Sequence, residues 1–273
     1  AVKLSRSMVS VFPQLRCEGG GPADENNIPH NQVWYKTQDG QPIRISAASC
    51  MQAPLGNAYD ADGWCKISFG SPVTEVGPNA FCAYTLTDIR LPDSVEYIGE
   101  RAFSNTALTC FKTPEKLSGM GRFVFANSAR LTRFCGPRAT ADSTGIVLPD
   151  GTLSAYAPGL LDGVVEIPEG PTALADYLFL RESRIREVIL PEGLERIGAY
   201  AFWYQPDLEK VRFSGTVREV GPHAFGYCPR LALFEGPGSC IRDGNSFVGE
   251  SDGSRALMAV ALAGVSDYVM PDD

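Results

Sequence analysis

The stretch VTEVGPNAF, residues 73–81, returns as VREVGPHAF at residues 217–225, with seven of nine positions identical. A catalytic motif is normally present once, whereas a structural unit recurs, so the duplication predicts a repeat architecture. A Phe in the same local pattern recurs with steps of 22, 22, 54, 23 and 23 residues. These residues are Phe81, Phe103, Phe125, Phe179, Phe202 and Phe225.

The residues around each Phe define one repeat unit. Val or Ile followed by Gly usually precedes it by five residues, and a second apolar set, often closed by Pro, follows it. The pattern is approximately L-x-x-I-x-L-P-x-x-V-x-x-I-G-x-x-A-F. The third copy has Met120-Gly121 and the fourth has Leu174-Ala175, so both depart from it.

A unit of this length cannot bury its own apolar face, but stacked units can. The last two apolar positions of L-x-x-I-x-L are two residues apart and therefore lie on one face of a strand. The Phe and the residue before the Gly fill the core from the opposite wall. We therefore expect a mainly β solenoid, with a short strand on one wall and a less regular arm of strand, turn or 3₁₀ pieces on the other.

The 54-residue step contains an insert, GIVLPDGTLSAYAPGLLDGVVEIPEG at 145–170, whose relative, DGSRALMAVALAGVSDYVMPDD, lies at 252–273. Three repeats followed by a hairpin-like segment therefore form a larger unit that occurs twice. The predicted organisation has six parts. They are a loose arm (1–30), a β-rich N-terminal cap (31–64), repeat block 1 (65–138), a hairpin insert (139–170), repeat block 2 (171–238) and a C-terminal hairpin cap (239–273).

The I-G-x-x-A-F-x-x-x-x-L-x-x-I-x-L-P pattern resembles the BspA-type leucine-rich repeats of bacterial surface proteins. The resemblance covers residues 65–273, and NQVWYKTQDGQPI (31–43) resembles an opening segment found before such repeats in proteins of Bacteroides-like gut bacteria. It implies a secreted or surface-attached protein and, more loosely, adhesion to host or matrix proteins.

The composition argues against two classes of protein, those that bind nucleic acids and those that span a membrane. The net charge is −8 and no basic run is present, which argues against nucleic-acid binding. No apolar stretch reaches the roughly 18 residues that a membrane-spanning helix needs. The first ten residues, AVKLSRSMVS, lack the apolar region of a signal peptide. If the protein is exported, we expect its signal to have been removed or to lie outside this sequence.

The eight cysteines do not suggest a dense disulfide framework, and no C-x-x-C spacing suggests a zinc site. Cys110 and Cys135 fall on adjacent repeats with a two-residue offset, which predicts Cα atoms roughly 8 Å apart, too far for a relaxed disulfide. We expect this pair to be reduced and Cys228 to be a buried core thiol.

No residue pattern predicts catalysis, a metal or a cofactor. The two histidines, His30 and His223, lie far apart in sequence, and nothing near His30 completes a triad. DADG (60–63) resembles the start of a calcium loop, but the required Glu is missing, so a turn explains it better. We therefore expect a non-enzymatic protein.

Two surfaces remain as candidate binding sites. The first is the solvent-facing side of the repeat strands, a mixed and fairly basic stripe of Asp88, Arg90, Lys112, Arg133, Glu187, Lys210 and Arg212. Solenoid faces of this kind bind extended partners, although a stripe of solvated charge is the simpler interpretation. The second is a loop edge carrying the aromatic residues Tyr84, Trp203, Tyr204 and Tyr227.

These surfaces give two hypotheses for function. The leading one is a surface or secreted adhesion module that binds a protein partner through the strand face. The alternative is a carbohydrate-binding accessory protein that uses the exposed aromatic residues, unless those residues only shield the edge of the stack. We expect a monomer or weak dimer, because the hairpin at 252–273 can cap the last repeat.

Overall fold

The computed structural model describes residues 28–45, 49–180, 184–213 and 215–235, together with the backbone of 240–243 and 246–249. These residues form β-strands joined by turns, with a 3₁₀ turn at Pro158–Leu160 and no α-helix within the described ranges. The strands are β1 (Gln32–Thr37), β2 (Pro54–Tyr59), β3 (Cys65–Phe69), β4 (Glu75–Val76), β5 (Leu86–Arg90), β6 (Tyr97–Ile98), β7 (Cys110–Lys112), β8 (Gly119–Met120), β9 (Arg133–Cys135), β10 (Gly145–Val147), β11 (Thr152–Tyr156), β12 (Gly163–Glu166), β13 (Ala173–Leu174), β14 (Ile185–Ile189), β15 (Arg196–Ile197), β16 (Lys210–Arg212), β17 (Glu219–Val220), β18 (Leu233–Glu235), β19 (Cys240–Asp243) and β20 (Ser246–Gly249).

One wall of the solenoid is made of parallel strands, one from each repeat. β12, β14, β16 and β18 pair in register, so that Val188, Val211 and Phe234 occupy equivalent positions and are fully buried. β7 and β9 pair in the same way in block 1. Because side chains alternate along a strand, the residues on either side of each buried one face solvent.

The other wall is made of arms, each containing a two-residue strand and a turn. β4, β6 and β8 pair in parallel in block 1, and β13, β15 and β17 do so in block 2. Beyond these strands, backbone hydrogen bonds continue from arm to arm, as from Phe81 N–H to the Ala102 carbonyl at 2.8 Å. The prediction of a mainly β solenoid with one strand and one irregular arm per repeat is confirmed.

The repeated Phe residues stack in the core between the two walls. Phe103 lies 5.7 Å from both Phe81 and Phe125, measured between ring centroids, and the rings are nearly parallel. In block 2, Phe202 lies 5.0 Å from Phe179 and 5.1 Å from Phe225. The Phe ring of each repeat therefore packs directly on the ring of the preceding repeat.

The repeated Gly allows one arm to lie directly on the previous arm. A Cβ atom on Gly99 would lie 2.6 Å from the backbone nitrogen of Pro78, and one on Gly198 would lie 2.6 Å from the backbone nitrogen of Asp176. Real Cβ atoms essentially never approach backbone so closely, so a larger residue would force the two repeats apart.

Three N-terminal strands extend the strand wall. They form a sheet in the order β2-β3-β1-β5, in which β1 is antiparallel to both β3 and β5. Tyr35 of β1 is fully buried and lies 6.1 Å from Phe81, so it covers the first ring of the Phe stack. Two of these strands, β1 and β2, lie within the segment predicted as a β-rich N-terminal cap (31–64), whereas most of the predicted loose arm lies outside the described residues.

The hairpin predicted in the insert is present. β10 and β11 form an antiparallel hairpin, and β11 then pairs in parallel with β13, which joins the insert to block 2. After the last repeat, β19 pairs antiparallel with β18, and β20 with β19. The second predicted hairpin segment, 252–273, lies outside the described residues.

The two cysteines of adjacent repeats lie close together. The Sγ atoms of Cys110 and Cys135 are 3.8 Å apart, within S–H···S hydrogen-bond distance, and the reduced state of this pair stays a prediction. Cys228 is fully buried, and burial raises the pKa of its thiol to about 12, as it does that of Cys50. These two cysteines are therefore core residues.

We expect Phe103→Ala to lower the free energy of unfolding by about 3–5 kcal/mol, because the ring is completely buried between two stacked neighbours. Urea denaturation followed by circular dichroism measures this loss. Tyr84→Ala is the control, since Tyr84 is 76% exposed. Equal losses in the two variants would refute the stacked core.

We expect Gly198→Ala to destabilise the protein by about 1–3 kcal/mol, because the new methyl group would overlap backbone atoms of the preceding arm. Ala175 occupies the equivalent position one repeat earlier. Ala175→Gly should cost only about 0.5–1 kcal/mol, the usual backbone-entropy loss. Thermal unfolding of both variants tests this difference, and a Gly198→Ala variant as stable as the parent would contradict close packing of the arms.

Candidate functional site

The solvent side of the strand wall contains all seven charged residues predicted for this face, in two groups. In block 1 and the cap, strand register aligns Lys66, Trp34 and Arg90 in one row and places Lys36 beside Asp88 in the next. On the neighbouring pair β7 and β9, Lys112 lies opposite Cys135 and Arg133 lies opposite Cys110. We call this group the basic face; it consists of Trp34, Lys36, Trp64, Lys66, Asp88, Arg90, Lys112 and Arg133.

Two tryptophans hold three of the five cations of the basic face in place. The Lys66 ammonium lies 4.0 Å from the centre of the Trp34 ring, while Lys36 and Arg90 lie 4.5 and 4.4 Å from the centre of the Trp64 ring. These are cation–π distances. The tryptophans therefore fix the positions of the cationic groups while keeping them at the surface.

The basic face has the opposite charge to the protein as a whole. Its five cations are accompanied by Asp88 and by Asp60, which pairs with Lys66, so the local charge is +3 in a chain of net charge −8. Hydrogen bonds from Lys66 and from the Trp64 backbone lower the pKa of Asp60. The field at this face therefore attracts anionic groups.

The charged residues on the block 2 part of the strand face neutralise one another. Lys210 lies 3.7 Å from Glu187 and 2.7 Å from Glu235, and Arg212 lies 3.1 Å from Glu235 and also pairs with Glu187. The hydrogen bond from Lys210 lowers the pKa of Glu235. With two cations and two carboxylates, this quartet has no net charge.

Three of the four aromatic residues predicted to form one edge are in contact. Trp203 lies 4.7 Å from Tyr227 and 5.8 Å from Tyr204, measured between ring centroids, so these three form one cluster. Tyr84 lies in an earlier repeat and makes no ring contact within the described part of the chain. The cluster and Tyr84 are therefore separate features.

A second aromatic column adjoins the cluster. Tyr177, Tyr200 and His223 occupy equivalent repeat positions and stack face to face, with ring separations of 4.9 and 5.2 Å. All three have positive φ, which turns their side chains onto one edge of the solenoid. Because the rings cover one another's faces, they present mainly their edges to solvent.

The described residues contain no candidate metal site. Within them, no group of three or more His, Cys, Asp or Glu could hold a metal ion, and no helix is long and apolar enough to cross a membrane. The DADG segment is a turn, as expected, in which Asp60 accepts hydrogen bonds from the backbone N–H groups of Asp62 and Trp64.

Sequence reasoning missed the contribution of the cap to the strand face. The sequence pattern did not place Trp34, Lys36 and Lys66 on the same sheet surface, nor the buried Trp64 next to it. The signal was present in the alternation of VWYK (33–36), where Val33 and Tyr35 are buried and the residues between them face outward. What the sequence did not show is that β1 pairs directly with β5.

A family model for the BspA type leucine-rich repeat region matches this chain in six copies, over residues 57–142 and 164–244, which is more than half of its length. No curated protein matches the chain.

Several solved structures are similar. A leucine-rich cell surface protein from Faecalibacterium prausnitzii A2-165 is 28% identical over 60% of this chain and 45% of its own, with a TM-score of 0.47. The pneumococcal vaccine antigen PcpA is 20% identical over 59% of this chain and 48% of its own, with a TM-score of 0.44. A leucine-rich repeat protein from Bacteroides ovatus ATCC 8483 is 21% identical over 59% and 45%, with a TM-score of 0.40. The chain thus matches less than half of each of these structures.

The charge quartet predicts a pH dependence of stability. The pKa of Glu235 is lowered from its ordinary value of 4.5 in the folded protein, so its contribution is present above that value and is lost as the pH falls through the folded pKa. We expect the free energy of unfolding to fall below about pH 4.5, and to fall less steeply in Lys210→Met. Denaturation at a series of pH values tests this. Identical slopes in the two proteins would exclude Lys210 as the cause.

Proposed function

The chain belongs to the BspA-type leucine-rich repeat family, and from that premise we propose that it is a non-enzymatic adhesion module that binds an extended, acidic segment of a protein partner. The site is the basic face. The observation that carries the proposal is a local charge of +3 on a protein of net charge −8, with three of the five cations held by Trp34 and Trp64.

The geometry of the basic face suits an extended partner. Its cationic groups lie in rows across neighbouring strands, which are spaced about 4.8 Å apart in β-sheets. Carboxylates of a partner would meet several cations in succession. Trp34 and Trp64 hold the cations before binding, which reduces the entropy lost on association. Such complementarity mainly accelerates association and selects the partner.

The proposal also covers the location of the protein, the type of partner and the absence of catalysis. The family supports a secreted or surface-attached protein, with a host or matrix protein as the partner. The absence of catalysis is also proposed. It is supported by the wide separation of the two histidines, since His30 hydrogen-bonds through its carbonyl near the first repeat and His223 stacks on Tyr200 near the last.

The carbohydrate alternative receives less support from the geometry. A sugar ring usually packs on an aromatic face that is open to solvent, whereas Trp203 contacts Tyr200, Tyr204 and Tyr227. Tyr84 is well exposed but stands apart from the others. These contacts favour the interpretation that the aromatic edge stabilises the stack.

The test compares two charge-reversal variants that change the net charge equally. Lys36→Glu/Lys112→Glu alters the basic face, and Lys116→Glu/Arg130→Glu alters exposed residues elsewhere. We expect the first to weaken binding to a synthetic poly-glutamate peptide and to any positive member of an immobilised matrix-protein panel at least tenfold. The second should change binding less than threefold.

Salt provides the complementary measurement. Binding should weaken strongly between about 50 and 300 mM salt, because the attraction involves exposed charges. Equal losses in both variants would show that only overall charge matters. Binding that withstands salt and both sets of substitutions, and that is specific for glycans, would move the site to the aromatic edge.

A further inference from the structure

A cleft of about 350 Å³ lies where block 1 meets the insert and block 2. One wall is the last arm of block 1, residues 121–126, and the other is the first arm of block 2, residues 175–180. The floor is formed by residues of the hairpin insert, including Ser154 and Tyr156. The cleft therefore marks the place where the regular succession of arms is interrupted.

The arms elsewhere are joined by a repeating pair of backbone hydrogen bonds. In block 1, the N–H groups of Arg101 and Phe103 donate to the carbonyls of Arg122 and Val124 at 3.0 and 2.9 Å. In block 2, those of Tyr177 and Phe179 donate to the carbonyls of Ala199 and Ala201 at 3.0 and 2.8 Å. The same pair of bonds joins Asn79 and Phe81 to the next arm, and Tyr200 and Phe202 to theirs.

This ladder stops at the cleft. By repeat equivalence, Phe123 and Phe125 should donate to Asp176 and Leu178, but no backbone hydrogen bond joins residues 121–126 to 175–180, both of which are fully described. One wall of the cleft therefore contains two N–H groups, and the other contains two carbonyls. They are the four groups that a further arm would pair with.

The insert supplies the strand of an arm but not the turn that follows it. β11 pairs in parallel with β13, and the Ala175 N–H donates to the Leu153 carbonyl at 3.0 Å. Tyr156 packs on Phe179 at 5.6 Å with its ring tilted by 57°, so it covers the first ring of the block 2 stack. No turn of an arm lies between residues 121–126 and 175–180. Ala175 agrees with this, since it has a Cβ where Gly99, Gly121, Gly198 and Gly221 have no room for one. Ala175 lines the cleft, where the preceding arm would otherwise lie.

We propose that this cleft binds a short extended peptide segment, whose backbone completes the interrupted ladder. Two peptide carbonyls accept from the N–H groups of Phe123 and Phe125, and two peptide N–H groups donate to the carbonyls of Asp176 and Leu178. A volume of about 350 Å³ is at the lower end of the range for ligand pockets and suits two or three residues.

The side chains around the cleft are consistent with a peptide. Asp150 and Asp176 supply negative charge and Arg122 and Arg196 positive charge, so polar groups of either sign find a partner. The Tyr177 ring offers no open face for a sugar, because Tyr200 stacks on it at 4.9 Å and the Arg122 guanidinium lies 4.3 Å from its centre. Backbone pairing is therefore the recognition that the cleft best supports.

The probe is acetyl-Arg-Ala-Phe-amide, which copies residues 101–103 and carries the four backbone groups of an arm. The matched control has N-methyl groups on Arg and Phe, which remove both donors and keep the side chains. On titration into ¹⁵N-labelled protein, we expect saturable shifts of the amide signals of Phe123 and Phe125. The N-methylated peptide should bind at least tenfold more weakly.

A second comparison places the peptide in the cleft. Ser154→Tyr fills the floor and should weaken peptide binding at least tenfold, whereas Ser71→Tyr, on an exposed turn outside the cleft, should leave it unchanged. Thermal unfolding confirms that both variants fold. Lys36→Glu/Lys112→Glu should also bind the peptide normally, which separates this proposal from the one for the basic face.

Three results would overturn the proposal. They are equal affinity for the two peptides, equal losses in Ser154→Tyr and Ser71→Tyr, and no shift of Phe123 and Phe125 up to about 10 mM peptide. A saccharide that shifts these two amides where the peptide does not would likewise show that the cleft recognises something other than backbone.

Discussion

The structure depends on the close contact between one arm and the next. A Cβ on Gly99, Gly198 or Gly221 would approach backbone of the preceding arm to between 2.5 and 2.6 Å, so glycine at this position sets the spacing of the repeats. At that spacing, arm-to-arm hydrogen bonds form and the Phe rings stack 5.0–5.7 Å apart. Each repeat is thus stable only on its neighbours, and its outer surfaces are left for other roles.

Both proposed binding sites depend on this regularity, one where it continues and one where it stops. Regular strands place side chains in rows, which allows the cap and block 1 to concentrate cations while block 2 neutralises its own. The interruption at the insert leaves backbone groups facing a cleft instead of another arm. The repeat therefore supplies both a charged surface and a place where its own hydrogen-bond pattern is incomplete.

Much of the fold follows from the spacing of Phe and Gly, because both residues act between neighbouring repeats at a fixed interval. The outward positions of Asp88, Arg90, Lys210 and Arg212 also follow from strand alternation. The pairing of β1 with β5 could not be predicted, since it joins segments about 50 residues apart with no shared pattern. Nor could the ion pairs that neutralise block 2. Ala175 departs from the repeat pattern in the sequence, but only the structure relates it to the cleft.

The protein contains three tryptophans, and their NMR signals can distinguish binding at the basic face from binding at the aromatic cluster. Trp34 and Trp64 lie in the basic face, and Trp203 lies in the aromatic cluster. The most direct test of the central claim is therefore to follow the three indole N–H signals by NMR while an acidic peptide or captured partner is added. The account predicts shifts of the Trp34 and Trp64 signals with that of Trp203 unchanged. A shift of Trp203 alone would contradict it.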